Sequence, residues 1–85
     1  MSNDGKQIPL SRLEVGKSGK IVRVSAPPNV RRRLLEMGLV PGENIFVQGL
    51  APLGDPVEYV VRGTHLSLRR KDAANIIVEV NADGS

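Results

Sequence analysis

The sequence predicts a mainly β fold: a small five-stranded, SH3-like barrel with one inserted short α-helix. Five short stretches rich in β-branched residues alternate in facing, and glycine or proline punctuates the gaps between them. One segment, residues 29–37, has helical spacing, and it is too short to persist in water without a sheet to lean on. Strands this short leave unpaired edges, which curling into a barrel removes. At 85 residues the chain makes one domain with a modest core.

Residues 1–7 and 81–85 are rich in Asn, Asp, Gly, Ser and Lys without periodicity, and read as flexible ends around a domain spanning 8–80. After Ile8 and Pro9, Ser11 can begin a single helical turn anchored by Leu10, Leu13 and Val15, and residues 16–19 form a turn. Residues 20–24 are the first strand, with Val22 and Val24 on one face and Ile21 and Arg23 on the other.

The helix follows. Asn29, after Pro27 and Pro28, is its expected N-cap; Val30, Leu34 and Met37 make an apolar stripe with Leu35 at its edge. Gly38 can take the left-handed conformation that ends the helix, with Leu39 folding back on Leu34. Pro41 and Gly42 carry the chemistry of a type II turn leading into the next strand.

Residues 43–50 form that second strand, with Ile45 and Val47 facing one way and Phe46 and Gln48 the other. Two prolines and a glycine in residues 51–56 rule out ladder pairing and mark a connection with Leu53 near its tip. An exposed Leu53 would be a contact residue; packing back on the barrel is the arrangement expected. Residues 57–62 set Val57, Tyr59 and Val61 together. Gly63 and Thr64 then suit a two-residue type II′ turn, and residues 65–69 return with Leu66 and Leu68 inward. A short helical turn at 70–75 precedes a closing strand at 76–80.

The chemistry-bearing residues are sparse. There is no cysteine, which removes disulfides and thiolate sites. His65 is the single histidine, and the acidic residues Glu14, Glu36, Glu43, Asp55, Glu58, Asp72 and Glu79 are scattered, so neither a catalytic group nor a metal-ligand set is legible. Residues 16–19, Gly-Lys-Ser-Gly, lack the spacing of a phosphate-binding loop and lead into a strand. A net charge of +3 permits nucleic-acid binding, but with Phe46 and Tyr59 as the aromatic residues there is no stacking platform. No signal peptide or membrane span is visible, which fits a soluble intracellular protein.

What remains is an interaction module. Its candidate partner-binding residues are Arg31, Arg32 and Arg33 on the helix, Leu53 at the loop tip, and the cluster Arg69, Arg70 and Lys71. The helix arginines lie in the first turn, where the macrodipole opposes cations by roughly 0.3–1 kcal/mol each at most. Their stems can also serve simply to cover apolar surface, with Arg32 near Glu36 at i+4.

Residues 31–42, Arg-Arg-Arg-Leu-Leu-Glu-Met-Gly-Leu-Val-Pro-Gly, with residues 51–58, Ala-Pro-Leu-Gly-Asp-Pro-Val-Glu, resemble the FeoA family. Arg62-Gly63, residues 66–69 and residues 76–80 fit its later part. The resemblance implies a small cytoplasmic accessory protein of ferrous iron transport, with no enzymatic activity and no cofactor. It implies a partner in FeoB, a membrane ferrous-iron transporter with a cytosolic GTP-binding domain, and contact with the membrane only through it. The alternative is a regulatory barrel, since the fold also resembles the C-terminal domain of iron- and manganese-dependent repressors. A carrier of Fe(II) is the weakest reading, because the ligand inventory is poor.

Overall fold

Alternating apolar residues become one antiparallel sheet in a computed structural model that describes residues 5–80. Of the expected tails at 1–7 and 81–85, residues 1–4 and 81–85 lie outside the described residues, whereas Lys6 and Gln7 belong to a strand. The elements are β1 (Lys6–Pro9), a 3-10 turn (Leu10–Arg12), β2 (Ser18–Val24), α1 (Pro28–Glu36), β3 (Asn44–Leu50), β4 (Val57–Val61), β5 (Thr64–Leu68), α2 (Arg70–Ala73) and β6 (Ile76–Val80). The sheet order is β1-β6-β2-β3-β4-β5, with no ladder joining β1 to β5 among the described residues. The fold is mainly β and SH3-like with a short inserted helix, as the sequence predicts, but its sheet has six strands and stays unclosed.

The additional strand is β1, which takes in Lys6 and Gln7 and pairs Ile8 with Val78. Four residues ending in proline carry too little alternation to announce a strand. The pairing comes from β6, about seventy positions away along the chain. Residues from both helices and from β2 to β6 fill one core, in which Leu10, Leu34, Leu39, Val47, Ala73, Ile76 and Val78 are fully buried.

Three local expectations need correction. The 3-10 turn follows Pro9 as its cap, so Ser11 lies inside it and does not begin it. In β2 a register shift between Ile21 and Arg23 marks a bulge. The extra residue resets the alternation, so Ile21 and Val24 both face the core while Val22 is half-buried. In α1 the N-cap is Pro27, without a side-chain bond, and Pro28 occupies the first turn. Its fixed φ suits that position, and its missing N–H leaves one fewer donor to cap. Asn29 is therefore exposed and helical.

The other end of α1 follows its residues closely. Gly38 has φ 97°, its N–H donates to Leu35 at 3.0 Å, and the Leu39 N–H donates to Leu34 at 3.2 Å, the paired bonds of a Schellman ending. Leu34 and Leu39 are fully buried; burying a leucine contributes about 1.5–3 kcal/mol. Val30 and Leu35 pack against this core, whereas Met37, at the helix end, is 37% exposed. Gly42, with φ 98°, completes the Pro41 turn, which the Glu43 N–H closes on Val40 at 3.2 Å.

β4 and β5 form a hairpin with Val61 opposite Thr64, so its turn residues are Arg62 and Gly63. Both have positive φ, 53° and 78°, which makes a type I′ turn one residue earlier than expected. That twist matches the strands, and it places a non-glycine residue in the left-handed region.

Candidate functional site around α2

The loop at 51–56 is closed on itself: the Ala51 N–H donates to Pro56 at 3.0 Å and the Gly54 N–H to Ala51 at 2.7 Å. Those bonds use the backbone of the tip and leave the Leu53 side chain 96% exposed. The expected packing of Leu53 back on the barrel does not occur: the self-closed turn presents the side chain to solvent.

Arg70 fastens this loop to α2. Its Nε–H donates to the Gly54 carbonyl at 2.8 Å, and its backbone N–H donates to Asp55 Oδ1 at 3.0 Å. The second bond is a cap from a distance. Arg69, the residue before α2, offers no side-chain acceptor, and Asp55 satisfies an amide of the first turn instead. On its other side α2 meets α1, where Arg33 pairs with Asp72 at 3.5 Å, with side-chain exposures of 57% and 18%.

The structure thus ties parts of all the sequence-predicted surfaces to one four-residue helix. The loop that carries Leu53 reaches α2 through Arg70, and Arg33 reaches it through Asp72. Arg31, Arg32, Arg69 and Lys71 are exposed. Among the described residues Arg32 makes no ion pair with Glu36; the helix arginine that does pair is Arg33.

A groove of about 270 Å³ runs beside Arg70, with Val15, Leu50, Val57 and Tyr59 on its walls. Val15, expected to anchor the turn after Leu10, is instead 49% exposed, and so is Leu50, whose exposure the sequence did not announce. Leu50 closes β3 and precedes Ala51 and Pro52, a position whose exposure depends on where the loop turns. Tyr59 lies on the groove floor with its hydroxyl pushed up to about 12. Burial disfavours the phenolate; the Arg70 cation opposes that shift and the Asp55 carboxylate adds to it. Asp55, Asp72 and Gly54 escaped the sequence reading because their partners are remote in the chain.

His65 is exposed on β5 and belongs to none of these contacts. Among the described residues no group of three or more His, Cys, Asp or Glu side chains could hold a metal ion. No helix among them is long and apolar enough to cross a membrane.

The groups gathered at α2 are an apolar tip, a half-open apolar groove and a basic surround. Comparison with known proteins places the chain in a family. Residues 8–80 match the FeoA domain. The chain belongs to the FeoA family. A Fe(2+) transport protein A/Fe(2+) transporter FeoB fusion protein of Porphyromonas gingivalis is 49% identical over 71 residues, 84% of this FeoA-family chain and 8% of the fusion. The solution structure of a FeoA protein from Chlorobium tepidum is 42% identical with a TM-score of 0.80, covering 86% of this chain and 70% of its own. A FeoA of Stenotrophomonas maltophilia, solved with zinc and described as a prokaryotic SH3 domain protein, is 32% identical with a TM-score of 0.72, covering 81% and 86%. A manganese-dependent transcriptional repressor, 18% identical with a TM-score of 0.79, covers 89% of this chain and 42% of its own. That last likeness shows the fold alone.

Membership links this FeoA-family chain to ferrous iron transport, and in the fusion protein the matching region shares one polypeptide with a FeoB transporter.

Proposed function

We propose that the chain is a non-enzymatic, cytoplasmic interaction module that binds the cytosolic GTP-binding domain of a FeoB-type transporter and modulates ferrous-iron uptake. The observation that carries this reading is the fusion relative, in which a region 49% identical to this chain shares one polypeptide with FeoB. The surface around α2 supports it. Leu53 stands out as an apolar anchor, the groove beside Arg70 offers further apolar area, and Arg31, Arg32, Arg69 and Lys71 supply positive charge that steers encounter.

The test is a titration of isotope-labelled protein with the FeoB cytosolic domain, with and without guanine nucleotide, followed by amide shifts. Shifts are expected in residues 51–56 and in α2, and Leu53→Asp should weaken binding by about tenfold or more, the behaviour of a central apolar anchor. A titration that moves no amide, or a Leu53→Asp variant that binds as the parent does, overturns the assignment. Salt-sensitive binding of the protein to duplex DNA in place of the FeoB domain would favour the regulatory alternative.

A further inference from the structure

β5 (Thr64–Leu68) is an edge strand. Its one ladder is with β4, and no backbone bond from another element reaches it among the described residues. The opposite edge, β1, carries Lys6 and ends in Pro9, features with which natural sheets blunt an edge against pairing. β5 has neither. Thr64, His65, Leu66, Ser67 and Leu68 include no carboxylate, lysine, arginine or proline, and the register against β4 runs without a bulge.

Hairpin parity says which backbone groups are free. A two-residue turn makes Val61 and Thr64 a pair that exchanges both backbone bonds, and the alternation gives Tyr59 with Leu66 and Val57 with Leu68 the same character. His65 and Ser67 fall between them, so their N–H and C=O groups point away from β4. Both residues are exposed. The edge is therefore a short, unblocked row of donors and acceptors.

Charge at its ends decides what fits. Arg62 stands just before the strand, and Arg69, Arg70 and Lys71 follow it. A second copy paired antiparallel about Leu66 would set Arg62 against Arg70, like charge on like charge, at both ends of the ladder. An incoming segment with carboxylates at its ends meets the basic run at 69–71 at one end and, at the other, the Arg62 guanidinium, which stays 71% exposed beside Glu43 at 3.6 Å.

We propose that β5 accepts, by strand addition, an extended segment of a partner protein with an uncharged, β-branched centre and acidic ends. This rests on the reading of the chain as an interaction module, but at an element that the Leu53 loop does not include. Ser67 and His65 supply the backbone bonds, and Arg62, Arg69 and Lys71 select acidic ends.

The probe is a blocked synthetic peptide, Asp-Glu-Thr-Val-Thr-Val-Thr-Glu-Asp, titrated into the labelled full chain, with a control peptide carrying lysines in place of its acidic residues. The acidic peptide should shift the His65 and Ser67 amides and slow their hydrogen exchange. The lysine control should bind about tenfold weaker or less well still, as opposite-charge steering requires. Ser67→Pro removes an N–H that faces away from β4 and should abolish the effect. Should that variant not fold, the exposed pair Arg69→Glu and Lys71→Glu keeps the strand and should reverse the preference between the two peptides.

Equal binding of both peptides, shifts confined to other elements, or concentration-dependent self-association through β5 overturns the proposal. The FeoB domain separates the two readings. Shifts in the Leu53 loop with β5 silent, and no peptide effect on β5, leave the proposed function standing and remove this inference. Peptide protection of β5 with no response to the FeoB domain does the reverse.

Discussion

The two connections that flank β4 reverse the chain by opposite means. Residues 51–56 are held from outside, by Arg70 reaching back from α2 to Gly54 and Asp55, sixteen and fifteen positions away along the chain. Arg62 and Gly63 are held from within, by a pair of positive φ angles that close Val61 on Thr64. The first is a tertiary construction that presents an apolar tip; the second is local turn chemistry that presents a cation. A loop tied down by a remote side chain can hold an exposed leucine in place at little cost to its own backbone. A tight turn gains its rigidity from conformations that most residues resist.

The difference should be largest in alkali. Tyr59 lies at the middle of β4 in the groove that Arg70 also lines, and burial, more than its charged neighbours, pushes its hydroxyl up to about 12. The folded value lies above the ordinary one of 10, so the neutral phenol is favoured on folding. Its contribution is intact below pH 10 and is lost as pH rises through about 12, an effect of roughly 2 kcal/mol. Denaturation of the parent and of Tyr59→Phe across that range measures it: the variant should lose less stability than the parent. In an Arg70→Ala background the tyrosine should titrate later still, because the cation that favours the phenolate has gone. Identical pH profiles for parent and Tyr59→Phe would show that the hydroxyl reaches water on the groove floor.

Arg70→Ala alone breaks the loop side of the comparison and leaves the turn untouched. It removes the bond to the Gly54 carbonyl, a net loss of about 1 kcal/mol, while the backbone bond to Asp55 persists. The amides of Leu53 and Gly54 should exchange faster, and those of Arg62 and Gly63 should not change. Equal acceleration at both connections would mean that Arg70 supports the sheet as a whole and not the loop.

What was legible in the sequence divides along the same line. The end of α1 was readable because Leu34, Gly38 and Leu39 carry all of its chemistry within six residues, and β4 and the part of β3 up to its register shift after Val47 were readable from alternation. The bulge in β2 was not: Ile21 and Val24 share a face only because of how the strand pairs with β6. β1 was missed for the same reason. At the candidate site the side chains themselves were visible, Leu53 and the basic residues among them. No residue pattern signals that Arg70 is committed to the loop, that Asp72 takes Arg33, or that Leu53 stands clear of the barrel. Each depends on a partner brought close by the fold, and no local pattern encodes such a distance.

The turn side yields the smallest effect. Arg62 has φ 53°, where a side chain with a Cβ is disfavoured by about 1–2 kcal/mol. Its ion pair with Glu43, 3.6 Å long with the arginine 71% exposed, is a surface contact of about 0–1 kcal/mol and offsets part of that cost at most. Arg62→Asn gives up the ion pair and installs the Asn-Gly dipeptide that type I′ turns favour, since the short polar side chain tolerates the left-handed region. A net stabilisation of roughly 0.5 kcal/mol is expected in urea denaturation, with amide exchange at residues 51–56 unaffected. A destabilised Arg62→Asn would place the value of Arg62 in its contact with Glu43 and make both connections tertiary constructions. A stabilised variant that also binds the acidic peptide less tightly would show why an arginine sits in a position its backbone resists.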